Sequence, residues 1–363
     1  MIDIPFENLR SLGLTPALAQ RMALCEEPPG GPHRWLRVTA VHRETLDLHD
    51  GCEQHSARCS TRLGRELDQL GSALAVGDWV LASGNAPEQI WVQARLAPQS
   101  QIVRRDADGS RHIVVSNVDT ALLVMGLDLD FNLQRIERYL ALARSSDVLP
   151  VVVLTKADVA QEGGAGVLSS RMQELRARVG KDVALLPVDA RSPEAACELL
   201  PYVGAGQTLV LLGSSGAGKS TLTNTLAGAA IQDTGASREH DSRGKHTTTA
   251  RSLHRLPGGA CVIDTPGVRT LRPDVDAAAL GRLFDDVATL AGACRFRDCS
   301  HMDEPGCAVR AQVDPGRLRN YHKLLRESRR DSISLLERRR QIADWKARGR
   351  AARVRLDLKR RGA

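Results

Sequence analysis

The chain has few aromatic residues and no long apolar run. Phe, Trp and Tyr together make up 3% of its 363 residues. No apolar stretch approaches the roughly 20 residues that a transmembrane helix needs. The first segment, MIDIPFENLRSLGL, mixes charged with apolar side chains, whereas a signal peptide has an apolar centre. We therefore expect a soluble, cytoplasmic protein without membrane contact, divided into two or three domains because of its length. We also expect a monomer.

Positive charge is concentrated near the C-terminus. From Arg317 onward there are 17 Lys and Arg against 5 Asp and Glu, a net charge of +12, whereas the whole chain carries +7. Dense arginine on a helical pattern predicts a basic helix followed by a flexible arm, and such segments are typical of binding to phosphate backbones, including RNA. A solvent-exposed helix with a solubilising tail is the alternative.

The segment GSSGAGKST has the pattern of a phosphate-binding loop (P-loop). It follows the apolar run TLVLLG and precedes a segment with helical spacing, so the strand, loop and helix of such a site are all predicted. Glycines let the backbone N–H groups turn toward a phosphate, while Lys219 reaches the β and γ oxygens as a catalytic group and Ser220 ligates Mg²⁺. The predicted nucleotide-binding residues of this loop are Gly213, Ser214, Ser215, Gly216, Ala217, Gly218, Lys219, Ser220 and Thr221.

A predicted guanine-binding motif lies before the P-loop in the chain. The apolar run LPVVVL predicts a buried parallel strand, and it ends in Thr155, Lys156, Ala157 and Asp158. The Asp158 carboxylate can accept hydrogen bonds from N1–H and N2–H₂ of guanine, which adenine cannot offer, while the lysine stem covers the ring. Asn is usual at the first position, so we expect Thr155 to tether this loop to the P-loop more weakly.

A second, less specific base contact is predicted in the segment VALLPVDA, Val183 to Ala190. Its small-residue end would place a backbone N–H group near the guanine O6. A core strand followed by an ordinary turn is the alternative interpretation.

The motif DTPG follows the apolar run CVI, so Asp264 is expected at the C-terminal end of a strand. There its carboxylate would hold Mg²⁺ through water. Gly267 would bring a backbone N–H group to the γ-phosphate and act as the hinge of a mobile switch. An ordinary turn is the alternative, because Asp, Pro and Gly are common turn residues.

A polar segment between the P-loop and DTPG, Thr234 to Arg251, is predicted to be a nucleotide-dependent switch. One of its three consecutive threonines would be the second Mg²⁺ ligand, with Thr248 or Thr249 favoured. The residue after DTPG is valine, where Ras-like proteins place a water-orienting glutamine. His246 is the nearest replacement and is predicted to be catalytic; an exposed loop histidine without a catalytic role is the alternative.

A compact cysteine and histidine cluster predicts a metal site. Cys294, Cys299, His301 and Cys307 follow the spacing C-x4-C-x-H-x5-C. Three thiolates and an imidazole suit a closed tetrahedral zinc site, in which no open position remains for a catalytic water. Disulfides are the competing interpretation, which a reducing compartment disfavours. The other cysteines are scattered and are expected to be ordinary thiols.

Short β patterns occupy the region from Trp35 to Leu96, separated by glycine and polar turns. They predict a small Greek-key barrel. Trp35, Trp79 and Trp91 are expected in its core rather than stacked on bases, because the barrel needs filling and aromatic residues are scarce.

With guanine motifs before the P-loop and switches after it, the chain resembles the circularly permuted GTPases. GKHTTT, Gly244 to Thr249, and CRFRDCSHMDEPGCAV, Cys294 to Val309, narrow the resemblance to the bacterial ribosome small subunit-dependent GTPase A family. Permutation is physically allowed because the termini of such a domain lie close together. The resemblance implies a multidomain fold: an extension and linker over 1–32, an N-terminal β-barrel (OB-fold) over 33–103, a central α/β P-loop GTPase domain with circular permutation over 104–275, and a C-terminal α-helical zinc-binding domain with a basic tail over 276–363.

The same resemblance implies a function. The substrate would be GTP with Mg²⁺, hydrolysed under stimulation by the small (30S) ribosomal subunit during its late maturation, with contacts to rRNA and one structural Zn²⁺. The alternative is a GTP-controlled switch that tethers the protein to another RNA or ribosomal particle.

Overall fold

The computed structural model of the chain describes residues 4–29, 32–84, 89–106, 109–162, 166–232, 251–265, 272–275 and 277–331. Within these residues the chain forms an N-terminal barrel, a central mixed sheet flanked by helices, and a C-terminal group of helices. No helix in these ranges has both the length and the hydropathy that crossing a bilayer requires.

The N-terminal barrel has five strands, which close into a ring in the order β1-β2-β3-β5-β4-β1. The β3–β5 pair is parallel, and the other four pairs are antiparallel. Its strands are β1 (His33–Val41), β2 (Leu46–His49), β3 (Gln54–Cys59), β4 (Trp79–Ser83) and β5 (Ile90–Arg95). One helix, α3 (Thr61–Gln69), follows β3, begins at the capping hydroxyl of Ser60 and packs Leu63 and Leu67 into the barrel. This closed topology confirms the predicted OB-fold barrel.

Two short helices precede the barrel, α1 (Phe6–Arg10) and α2 (Pro16–Ala23). Their apolar side chains pack in one cluster with Trp35 and Trp79, which are 1% and 0% exposed. The prediction that the tryptophans are core residues is therefore confirmed for these two. It is wrong for Trp91, which is 39% exposed because it lies on the outward-facing side of β5.

The central sheet has the strand order β10-β9-β8-β11-β13-β12, with only β12 antiparallel to its neighbour. Its strands are β8 (Thr120–Gly126), β9 (Leu149–Thr155), β10 (Ala184–Pro187), β11 (Thr208–Leu212), β12 (Ser252–Arg255) and β13 (Cys261–Asp264). Every residue of β8 and β11 is buried, as expected for parallel strands with helices on both faces.

Helices cover both faces of this sheet. They are α4 (Leu133–Ser145), α5 (Ala157–Glu162), α6 (Val167–Val179), α7 (Glu194–Glu198), the short 3-10 turn Leu200–Tyr202 and α8 (Lys219–Ala227). A separate antiparallel sheet joins β6 (Gln101–Arg105), β7 (Arg111–Ser116) and β14 (Arg272–Pro273).

The C-terminal helices are α9 (Ala277–Leu283), α10 (Asp285–Ala291), α11 (Ala308–Gln312) and α12 (Pro315–Asp331). The start of the predicted basic helix is α12, but its first turns are not a solvent-exposed cationic surface. Arg317, Asn320 and Leu324 are 5%, 3% and 0% exposed, because α12 packs on α4 and α9. Residues after Asp331 lie outside the described part of the chain.

Arg37 on β1 joins the barrel to the rest of the protein. Its guanidinium is completely buried and lies 5.2 Å from the centroid of the Trp79 ring. It donates hydrogen bonds to acceptors from the N-terminal segment, the barrel and the central sheet: Leu12 O, Gly77 O at 3.3 Å, Asn117 O at 2.9 Å and Thr208 Oγ1 at 2.9 Å. Since Thr208 begins β11, the barrel is bonded directly to the strand that leads into the P-loop.

We expect Arg37→Met to lower the free energy of unfolding by about 3 kcal/mol, because several buried carbonyl oxygens lose their donor and each such loss costs about 1–3 kcal/mol. Denaturant titration followed by fluorescence measures this change. Arg43→Met, at an exposed position, is the matched control and should leave the midpoint unchanged. Equal midpoints for Arg37→Met and the unaltered protein would show that this buried junction contributes nothing to stability.

Candidate nucleotide and metal sites

The predicted P-loop connects β11 to α8 in a tight turn. Gly216 and Gly218 have φ of +81° and +92°, conformations that residues with a side chain rarely adopt. A Cβ on Gly213 would lie 2.4 Å from the carbonyl oxygen of Val124 on the neighbouring strand β8. The glycines are therefore required by backbone conformation and by the closeness of the next strand, as well as by any phosphate.

Lys219 and Ser220 begin α8 at the C-terminal edge of the sheet. The buried Lys219 ammonium donates to two carbonyl oxygens of its own loop, Gly213 O at 3.1 Å and Ser214 O at 2.8 Å. Burial lowers the pKa of Lys219, and the nearby carboxylates of Asp264 and Asp130 partly oppose this decrease. The ammonium thus lies inside the loop, where it would pair with the negative charge of a bound phosphate.

Asp264 ends β13 beside the P-loop, and its Oδ2 lies 3.5 Å from Ser220 Oγ. Its Oδ1 is buried and has no hydrogen-bond partner among the described residues. Burial raises the pKa of Asp264, and the Lys219 charge opposes that increase. A hydroxyl and a carboxylate oxygen facing the same space are the donor set that Mg²⁺ takes in nucleotide sites, so these residues fit the ion that the sequence predicts.

The predicted guanine motif approaches the P-loop from β9. Thr155 Oγ1 donates to Ala217 O at 2.7 Å, so the threonine does tether the two loops, through the single proton of its hydroxyl. A Cβ on Gly218 would come within 3.2 Å of the same oxygen, which shows how closely the loops pack. Lys156 adopts φ +59° and its Nζ pairs with Asp128 Oδ2 at 2.6 Å.

Asp158, the predicted base-reading carboxylate, pairs through Oδ2 with Arg191 Nη2 at 2.6 Å. Its Oδ1 is buried and has no hydrogen-bond partner among the described residues. Arg191 follows the segment Val183 to Ala190 and also contacts Asp189, so the second predicted base contact lies next to the first.

The structure also brings acidic residues to this edge that the sequence analysis did not select. Asp128 and Asp130 follow β8 directly, and β8 lies between β9 and β11. Burial acts to raise the pKa of Asp128, but the hydrogen bond and charge of Lys156 and the backbone hydrogen bond from Asp130 together outweigh it, so the pKa is lowered. The available signal was their position after a continuous apolar run, because the carboxyl ends of parallel strands form the ligand-binding edge of such sheets.

Four predicted site residues lie outside the described part of the chain: His246, Thr248, Thr249 and Gly267. Their roles stay predictions. Of the described residues near them, Ser252 is paired with Asp264 across the sheet, and Asp264 lies beside Ser220 of the P-loop.

The chain is similar in sequence to known proteins over most of its length. The family described as RsgA GTPase matches residues 96–273. A "Small ribosomal subunit biogenesis GTPase RsgA" of Xanthomonas campestris pv. campestris (strain B100) is 46% identical over 321 residues, covering 82% of this chain and 84% of the relative. "Small ribosomal subunit biogenesis GTPase RsgA 2" of Vibrio vulnificus (strain CMCP6) is 43% identical over 342 residues, covering 92% of each.

The chain belongs to the RsgA GTPase family. Two solved structures share its fold. YjeQ from Thermotoga maritima matches with a TM-score of 0.56 and 22% identity, over 82% of this chain and 98% of that one. YloQ, described as a circularly permuted GTPase, matches with a TM-score of 0.54 and 20% identity, over 85% and 100%. The predicted family and permuted fold are thus confirmed.

The candidate metal ligands of this RsgA family member lie between α10 and α11. Their ligand atoms are all within 4.8 Å of one another. His301 Nδ1 lies 3.6 Å from Cys294 Sγ and 3.5 Å from Cys307 Sγ, and the two sulfurs are 3.9 Å apart. A tetrahedral zinc ion with ligand distances of about 2.0–2.3 Å separates its ligands by roughly 3.5–3.8 Å.

The cluster therefore fits the predicted Zn²⁺. The separation of 3.9 Å between Cys294 and Cys307 is too long for the disulfide that was the competing interpretation. Cys294, Cys299, His301 and Cys307 would hold the ion, and four protein ligands would make its role structural.

We expect the purified chain to carry one zinc ion per molecule, measured by elemental analysis. Cys299→Ser should release it and lower the unfolding temperature, because folding free energy and zinc affinity are linked. Cys52→Ser, which changes an exposed thiol, is the matched control and should retain the ion. A Cys299→Ser protein with full zinc content would remove Cys299 from the ligand set.

Proposed function

We propose that this chain binds and hydrolyses GTP and acts in biogenesis of the small ribosomal subunit. One observation carries the proposal. Three separate parts of the sequence, which contain Asp158, the pair Lys219 and Ser220, and Asp264, meet at one edge of the central sheet in a chain of the RsgA GTPase family. Relatives named for small-subunit biogenesis support the biological role.

Each residue has a chemical task in this proposal. Asp158 accepts the guanine N–H donors, and Thr155 holds the base-reading loop on the P-loop. Backbone N–H groups of the P-loop bind the phosphates, and Lys219 turns from its loop carbonyls toward the β and γ oxygens. Ser220 and, through water, Asp264 would hold Mg²⁺, which supplies charge neutralisation at these oxygens. His246 would orient the attacking water, while Gly267 would donate a backbone N–H group to the γ-phosphate.

The proposed partner is the small (30S) ribosomal subunit with its rRNA, bound by a monomer in the cytoplasm. The basic residues after Asp331 support a phosphate-backbone contact: there are 11 Lys and Arg against 3 Asp and Glu, a net of +8. We further propose the division into 1–32, 33–103, 104–275 and 276–363, with Zn²⁺ stabilising the last part.

Turnover measured with purified ribosomal subunits tests the proposal. GTP hydrolysis should be slow for the isolated chain and strongly stimulated by small subunits, but not by large subunits. Lys219→Ala should abolish both rates. Equal stimulation by both subunits, or by unrelated structured RNA, would favour the rival function of a GTP-controlled RNA tether; absence of GTP turnover under every condition would refute the enzymatic role.

We expect Asp158→Asn to change the base preference toward xanthosine triphosphate, because the amide offers an N–H donor where the carboxylate accepted one. Competition between the two nucleotides, measured as the ratio of kcat/KM values, reports the change. Asp147→Asn, at an exposed turn with φ +53°, is the matched control. An unchanged preference in Asp158→Asn would place the guanine contact elsewhere.

Ending the chain at Asp331 should weaken small-subunit binding and flatten its salt dependence, because each lost phosphate contact reduces the log–log slope by about 0.9. This endpoint keeps α12, whose buried Arg317 and Leu324 make an earlier truncation disruptive. Intrinsic GTP hydrolysis should survive. An affinity and slope equal to those of the full chain would assign the RNA contact to another surface.

A further inference from the structure

Helix α4 lies between the nucleotide loop and the C-terminal helices. It connects β8 to β9, and it packs on the sheet as well as on α9 and α12. One side of it, which includes Ile136, Tyr139 and Leu140, is 0–1% exposed. Polar residues at neighbouring positions of α4 contact the P-loop and the C-terminal helices.

The first turn of α4 reaches the P-loop. Asn132 caps the N-terminus of the helix, and its side-chain oxygen accepts from Arg135 N at 3.0 Å. Arg135 Nη1 donates to Ser214 Oγ at 2.8 Å and pairs with the Asp130 carboxylate. That carboxylate accepts from Ser214 Oγ at 2.6 Å and from Gly126 N at 3.3 Å.

Ser214 transmits this arrangement to the phosphate-binding lysine. Its side chain is held by Asp130 and Arg135, and its carbonyl oxygen accepts from Lys219 Nζ at 2.8 Å. A shift of Arg135 or Asp130 therefore changes the position of the loop backbone that must fit the phosphates.

The next residues of α4 reach the C-terminal helices. The Glu137 carboxylate is completely buried and accepts from Arg317 Nη1 at 2.8 Å, Arg178 Nη1 at 3.2 Å and Asn320 Nδ2 at 2.6 Å. Arg317 also forms two hydrogen bonds with Asp286, at 2.7 and 2.8 Å. Burial acts to lower the pKa of Arg317, but hydrogen bonds and charges of Asp286 and Glu137 outweigh it, so the guanidinium stays charged.

A second ion pair holds the same two helices together. Arg138 contacts both carboxylate oxygens of Glu327 on α12, at 2.7 and 3.1 Å. Removing one partner of the buried pair Glu137–Arg317 leaves the other without compensation, so the docked position of α12 is strongly specified. Arg135 and Glu137 are only two residues apart, about 3 Å along the helix axis, so movement of α12 on α4 reaches the P-loop through one rigid turn.

We propose that α4 is the link through which docking of the C-terminal helices sets the P-loop: Asp130 and Arg135 are positioning residues for that loop, and Glu137 is the anchor for α12. The inference rests on the proposed GTPase function, because its test measures nucleotide release and GTP turnover. It adds a path through α4 to the covalent path by which the segment after Asp264 leads into the C-terminal helices.

The test is the release rate of a fluorescent GDP analogue from the full-length chain, together with kcat and KM for GTP. Asp130→Asn should speed release by about tenfold, within the usual range of coupling between sites. Glu137→Gln should speed release by about threefold or more, although Glu137 bonds to α12 and to Arg178 of α6 and not to the loop. The double variant should release no faster than Asp130→Asn alone, because both changes act through one path.

Matched variants separate positioning from general destabilisation. Asp182→Asn removes the ion pair of Arg144 in the last turn of α4, 2.7 Å in length and on an exposed surface, and should leave release unchanged. Arg135→Lys should retain more of the native release rate than Arg135→Met, because it keeps a charged donor. If Glu137→Gln does not fold, judged by zinc content and circular dichroism, Asn320→Ala removes one bond of the same anchor and takes its place.

Native release in the folded anchor variant, or additive effects in the double variant, would overturn the link. Failure of the unaltered chain to bind or hydrolyse GTP would instead overturn the proposed function, so the two results are distinguishable.

Discussion

The close approach of the P-loop backbone to the two strands beside it is the constraint on which the site depends. A side chain on Gly213 would clash with the carbonyl oxygen of Val124 on β8, and a side chain on Gly218 would crowd Thr155 on β9. Because the loop has no side chains at these points, it can lie against both strands, and no side chain there blocks the approach of a phosphate to the backbone. The base-reading residues are then carried on the same edge as the phosphate-binding residues.

This spatial arrangement explains why permutation preserves the site. Thr155 precedes Ala217 in the chain, but their contact depends only on β9, β8 and β11 lying side by side. Joining the strands in another order leaves the edge of the sheet unchanged. The changed order does alter which segment of the chain follows the switches. In this chain the segment after β13 leads to the C-terminal helices.

Buried cations hold the three parts of the protein together. Arg37 bonds the barrel and the N-terminal helices to β11, and Arg317 bonds the C-terminal helices to α4. Burying a charge is costly unless it is fully hydrogen-bonded, so each junction tolerates little displacement. The nucleotide loop lies between these junctions.

The sequence by itself determined what depends on local spacing. Glycines around Lys219, the carboxylate two residues after Lys156 and the Cys294–Cys307 ligand pattern can each be identified from residues that lie close together in the chain. The tertiary structure alone decided the roles of Asp130, Glu137 and Arg317. In the sequence Arg317 opens a basic run that resembles a solvent-exposed surface, whereas in the fold it is buried, because Glu137 lies on a helix 180 residues earlier. A single sequence contains no record of which distant side chains meet, and the cost of burying a charge is decided only by those partners.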